Sequence, residues 1–203
     1  MSLANYTDLL AEVASELHRS DLTGVIPNKV VLAETRINGD LDARLMDKKT
    51  TLSCVASQDY VTAPTDVINI RHLSVRVSPV QTLDYLTPDQ FYTAFPWSTS
   101  GTPQVFTVIG DKIYLAPIPD SDYTLDIVYK AKVPSLVNNG TTWLMTSYPN
   151  VYLYATLLEM SPYIKDDARV GLWKQAYDYA IESVNAQDWY SGSTMRVRTD
   201  VKP

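Results

Sequence analysis

A chain of 203 residues with 45% hydrophobic content is long enough to bury about 70% of the surface that its unfolded form exposes, as one or two domains. The 17 Lys and Arg against 23 Asp and Glu leave a net charge of -6, which argues against a protein that grips nucleic acid through a continuous basic face. The single cysteine, Cys54, excludes an intrachain disulfide and a thiolate metal cage. Together with the lack of a basic leader or of any run of about 18 apolar residues, it leads us to expect a cytoplasmic chain that does not span a membrane.

Tyr6, Leu9, Leu10, Val13 and Leu17 fall at helical spacing, with Asn5 or Thr7 available as a cap, and predict a first helix ending near His18. After Gly24, Pro27 suits the first turn of a second helix with a stripe of Val30, Ala33, Ile37, Leu41 and Leu45; its charged positions form a solvated face. From about residue 50 the texture turns to Thr, Val, Ile and Tyr runs broken by Pro and Gly, which predicts strands at 50–56, 67–77, 80–85, 104–109, 112–116 and 122–133. Gly110-Asp111 reads as a tight hairpin, and Thr87 with Pro88 starts a short helix that crosses one edge of the sheet.

Helical pattern returns near Ser147. Val151, Tyr152, Leu153, Tyr154, Leu157 and Leu158 occupy most of a helix circumference, so more than one side of it must be covered. Pro162 weakens its end, and Asp166 and Asp167 start a last helix with Val170, Trp173, Tyr177, Ile181 and Val184 on one stripe. From Ser191 the chain is polar, with three basic residues, one acid and no periodic pattern to hold it down. The order predicts an α+β fold: a helical bundle formed by residues 1–48 and 144–190, an inserted antiparallel β domain at 49–143, and a flexible C-terminal tail at 191–203.

The residues offer little chemistry. His18 and His72 have no second histidine or cysteine at ligand spacing, and no nucleophile elbow, phosphate loop or dinucleotide fingerprint occurs. We expect no catalytic residue, no metal and no cofactor. The acid pairs Asp40/Asp42, Asp120/Asp122 and Asp166/Asp167 suit a solvated helix face, a turn and a helix start. The other reading, of Asp40/Asp42 or Asp120/Asp122 taken with Trp97, Trp143, Trp173, Trp189 and the 14 tyrosines, is a carbohydrate-binding or polysaccharide-degrading protein.

The stretches "YLYATLLEMSPYIKDD", the following "W..AY...I.....AQD" helix, "YTDLLAEVASELHRSDLTGVIPNKVVLAETRIN", "LDYLTPDQF" and "GTPQVFTVIGDKIYLAPIPDSDYTLDIVYKAKVP" resemble, in order and over most of the chain, the head-to-tail adaptors of short-tailed bacteriophages. The resemblance implies a non-enzymatic structural virion protein of the neck, assembled in the host cytoplasm. It implies a dodecameric ring under the portal protein that docks the tail nozzle and tail fibres, with a lumen that passes DNA without sequence-specific binding. On that reading Tyr148, Tyr152, Tyr154, Trp173 and Tyr177 are candidates for bundle or inter-subunit packing, each with the alternative of filling the subunit's own core. Arg196, Arg198 and Lys202 are candidates for docking the tail on the portal or on a neighbouring subunit, by adding a strand, with a solvated terminus as the alternative.

Overall fold

The computed structural model describes residues 3–19, 21–95, 99–163 and 168–191, with side chains as far as residue 186. Its internal contacts define two compact units, one made of residues up to Arg44 together with those from Val133 onward, the other of Leu45–Lys132. The fold is α+β, as the alternation of helical and strand patterns predicts.

In the helical unit, α1 (Tyr6–Leu17) buries Leu9, Val13 and Leu17. Asn5 starts it by accepting the Asp8 amide at 2.9 Å, and His18 ends it in the left-handed conformation. Helix α2 (Ile26–Asp40) carries Pro27 in its first turn and buries Ile26, Val30, Ala33 and Ile37. It stops short of the predicted stripe: Leu41 is buried but extended, and Leu45 is exposed. The reason is a competing acceptor. Asn185 Oδ1 takes the Asp42 amide at 2.9 Å, a donor that a continuing helix would have turned inward.

Two short helices, α4 (Leu136–Asn139) and α5 (Trp143–Ser147), belong to this unit and precede the predicted return of helix. Polar atoms of α2 hold the segment that leads into them. Asn38 Oδ1 accepts the Val133 amide at 2.7 Å, and Glu34 Oε1 accepts the Leu136 amide. Thr142 caps α5 by accepting the Met145 amide at 3.1 Å. Helix α6 (Pro149–Met160) follows, then a 3-10 turn over Ser161–Tyr163 that contains Pro162, and then α7 (Val170–Ser191). Because α6 contacts α1, α2, α5 and α7, its apolar circumference is covered from several sides by its own chain. Neighbouring molecules are not needed for that cover, since a helix that is apolar nearly all round is a central one.

In the β unit, β1 (Asp47–Cys54), β10 (Tyr123–Ala131), β3 (Val67–Val75) and β4 (Gln81–Thr82) form one antiparallel sheet in that order. A second sheet has the order β2 (Tyr60–Thr62), β8 (Lys112–Ala116), β7 (Val105–Ile109) and β5 (Asp84–Tyr85). Side chains alternate, so one face of each sheet is apolar. Leu73, Val75, Leu125, Ile127 and Tyr129 of the first meet Val61, Phe106, Ile113 and Leu115 of the second in one core. Gly110, at φ 64°, opens the two-residue turn between β7 and β8, where only a residue free of a Cβ penalty adopts that backbone cheaply.

The predicted strand at 80–85 divides at Leu83: β4 stays in the first sheet while β5 crosses to the second, where it pairs with β7 in parallel. Between them in sequence, α3 (Pro88–Ala94) connects the parallel pair and packs Phe91 with Val105 and Ala116. A further parallel pair joins β6 (Ser100–Gly101) to β9 (Ile118–Pro119). Among the described residues the insert is therefore mainly antiparallel with two short parallel pairings; the crossover through α3 brings β7 alongside β5 in the same direction, and the β7–β8 hairpin links β6 to β9.

Candidate docking surfaces

The predicted aromatic residues are placed by the helical unit in two ways. Tyr152 is 1% exposed on α6, and its hydroxyl lies 3.2 Å from that of Thr142. Burial pushes its phenol up to about 12, so it stays neutral and serves as a packed ring with a satisfied tip. Tyr177 is buried on α7 and donates to Asp40 Oδ2 at 2.8 Å, at the last turn of α2. Burial first, and then the neighbouring Asp40 carboxylate, raise its phenol well above the ordinary value. Trp173 is buried under the Arg169 guanidinium, 5.1 Å from the ring centroid, while the same arginine donates to the Glu16 carbonyl at 3.0 Å. Tyr148, where α5 passes into α6, and Tyr154 are half-buried.

The face of α7 opposite this stripe is the one that sequence reasoning missed. Leu172 is 65% and Tyr179 74% exposed, and with Gln175, Ala176, Asp178 and Glu182 they line a shallow groove. The signal is present as Leu172, Ala176 and Tyr179 at spacings of four and three, but a stripe scan stops at the stronger one. On α2, Val31 and Leu32 are likewise exposed, beside the Arg36–Glu159 ion pair that ties α2 to α6. The helical unit thus presents exposed apolar side chains on both α2 and α7.

The other candidates have plainer placements. Asp120 accepts from the Tyr123 hydroxyl at 2.6 Å, and Asp122 accepts the Ala56 amide at 2.8 Å, so both organise a turn. Asp40 is occupied by Tyr177. His18 and His72 are exposed, and among the described residues no three His, Cys, Asp or Glu side chains come together as a metal site. Burial pushes the Cys54 thiol up to about 11, which makes it an inert core group. Among the described residues no helix is long and apolar enough to cross a membrane. Trp97, Asp166, Asp167, the side chain of Trp189 and the tail candidates Arg196, Arg198 and Lys202 lie outside the described residues.

A two-unit α+β chain that puts large aromatics into its own bundle, and leaves apolar side chains outside, has the make of an assembly subunit. The chain belongs to the SU10 adaptor protein family, whose model matches residues 4–198. Among solved structures it is similar to a chain of the "neck of empty GTA particle computed with C6 symmetry", at 16% identity and a TM-score of 0.32, covering 87% of this chain and 88% of that one. No curated protein matches it.

Proposed function

We propose that this adaptor is a non-enzymatic structural protein of the virion neck, assembled in the host cytoplasm, whose copies form a ring, a dodecamer, between the portal protein and the tail nozzle and its fibres. The observation that carries the reading is the family match over nearly the whole chain. The exposed strips on α2 and α7 support it: two different surfaces of one subunit make a heterologous contact, and such contacts close into a ring when the rotation permits. The net charge of -6 suits a lumen through which DNA passes, since an acidic wall releases no counterions from the duplex and does not retain it.

The test is the mass of the purified chain by native mass spectrometry, alone and after mixing with the cognate portal ring. The expected result is a stoichiometric ring complex on the portal. A chain that ignores the portal at several salt concentrations would remove the adaptor reading.

A further inference from the structure

The seam between the two sheets of the β unit is closed by a strand over half its length and open over the rest. The β4–β5 segment closes one half. Gln81 and Thr82 pair with Val75 and Ser74 of β3, the Leu83 amide donates to Leu73, and Asp84 and Tyr85 pair with Val105 and Phe106 of β7. Beyond that point α3 leads the chain away, and among the described residues no strand lies on the outer side of β3 at Val67–His72 or of β7 at Thr107–Ile109.

A groove occupies this open half. Val67, Ile70, Phe106 and Val108 wall it, all of them part of or packed on the apolar core, and Tyr85 and Ile68 stand at it more than a third exposed. The register of β3 slips at Ile68 and Arg71, and bulges of this kind interrupt an edge. The edge free to accept a strand is therefore that of β7, with β3 as the opposite wall.

Outside the described residues only one segment is long enough to fill such a slot, the C-terminal residues 192–203. Within it Met195, Val197, Thr199 and Val201 alternate with Arg196, Arg198 and Asp200, ending two residues before Pro203. Seven residues extend about 23 Å as a strand, ample for the open half of the seam. Viewed alone the alternation is too short to count as a pattern. Facing an apolar slot, it would put Met195, Val197, Thr199 and Val201 on one side and the two arginines on the other. Asp84 on β5 and Asp111 in the turn after β7 are exposed carboxylates at the two ends of the β7 edge, of the sign that the arginines require.

We infer that residues 195–201 of one copy add as a strand to the open edge of β7 in a second copy, filling the half-open seam. The choice of a second copy rests on the adaptor reading, in which identical chains stand side by side in a ring. Main-chain pairing supplies the affinity and the alternate side chains the fit. Each subunit then gives one strand and receives one, a contact that propagates around the ring.

The test is disulfide trapping in the full chain. Ile109→Cys and Arg198→Cys, both on the face turned away from the slot, are introduced in separate, differently tagged chains, mixed with and without the portal ring, oxidised, and resolved on non-reducing gels. The expected result is a crosslinked pair containing both tags, and a ladder of multimers from the chain carrying both substitutions. Adding Val108→Arg to the Ile109→Cys chain is expected to reduce trapping at least tenfold, and Arg198→Cys trapped against Ser53→Cys on β1 serves as the collision control. Trapping no faster than that control, or a doubly substituted chain that closes only on itself, overturns the inference. Portal binding is followed in parallel by light scattering. Binding without trapping overturns the strand exchange and leaves the adaptor reading intact, whereas trapping without portal binding supports the exchange and removes the adaptor reading.

Discussion

Glu34 is a half-buried side chain of the helical unit whose protonation bears on stability. Burial raises its carboxyl above the ordinary value, and the hydrogen bonds from Leu136 and Ser135 recover only part of that shift. A raised acid pKa means that the folded state holds more protons than the unfolded one. The contribution of Glu34 is therefore most favourable below the ordinary carboxylate pKa and declines as pH rises through the folded value. Glu34→Gln keeps an acceptor for Leu136 and removes the charge. Its urea midpoint is expected to equal or exceed that of the parent near pH 7, with the advantage vanishing towards pH 4. Asp66 has the opposite sign: burial raises it, but hydrogen bonds from Lys48 and Tyr129 outweigh burial and leave it low. It stabilises the β unit above the ordinary carboxylate range and ceases to do so as pH falls through the folded value. At this scale the sequence was half legible. The stripe that contains Tyr177 could be read from spacing, but the role of Asp40 could not. It stands on a charged helix face, and the phenol that bonds it lies 137 residues away.

Among the elements, α6 carried the clearest warning in the sequence, an apolar surface too wide for a surface helix. The inference that something covers it was sound. What covers it could not be read, because periodicity records the width of a buried face and not the identity of its neighbours. Tyr152→Ala on α6 is expected to cost about 3–5 kcal/mol of stability by urea unfolding, as a cavity in a packed core does. Tyr179→Ala on the outer face of α7 is expected to stay within about 0.5 kcal/mol, while weakening ring formation in the native mass experiment. The long strands were legible for the same reason as the helices: β10 alternates, with Leu125, Ile127, Tyr129 and Ala131 buried. Strands β2, β6 and β9, two or three residues each, are too short to display alternation, and the split at Leu83 is a tertiary choice that no local pattern announces.

At the scale of the whole chain, the order helices, strands, helices was visible because the texture changes sharply, from heptad-like spacing to β-branched runs and back. The candidate docking residues were less visible. Tyr152, Trp173 and Tyr177 attract attention because they are large and periodic, which is also what makes them core residues. The surfaces proposed above for other molecules are less conspicuous: Leu172, Ala176 and Tyr179 form only a weak stripe beside a stronger one, and neither Val31 with Leu32 nor the gap in the seam has a sequence signature of its own.

The β unit begins and ends in two neighbouring strands: Asp47 at the start of β1 is the register partner of Lys130 near the end of β10. This has a kinetic consequence. Arg36 and Glu159, which join α2 to α6, are 123 residues apart along the chain, and bringing them together through an unfolded insert would mean closing a very long loop. Once β1 and β10 are zipped through Asp47 and Lys130, that loop shortens to about 40 residues, which lowers its closure cost, so the insert acts as a clasp that favours bundle formation. Ile127→Ala, in the middle of that clasp, is expected to slow bundle closure about tenfold in stopped-flow refolding followed by Trp173 fluorescence with the other tryptophans replaced, whereas Val184→Ala on α7 is expected mainly to speed unfolding. The outward apolar side chains of α2 and α7 are then among the last surfaces to come into being, so a half-folded subunit has its β unit on display before its helical faces.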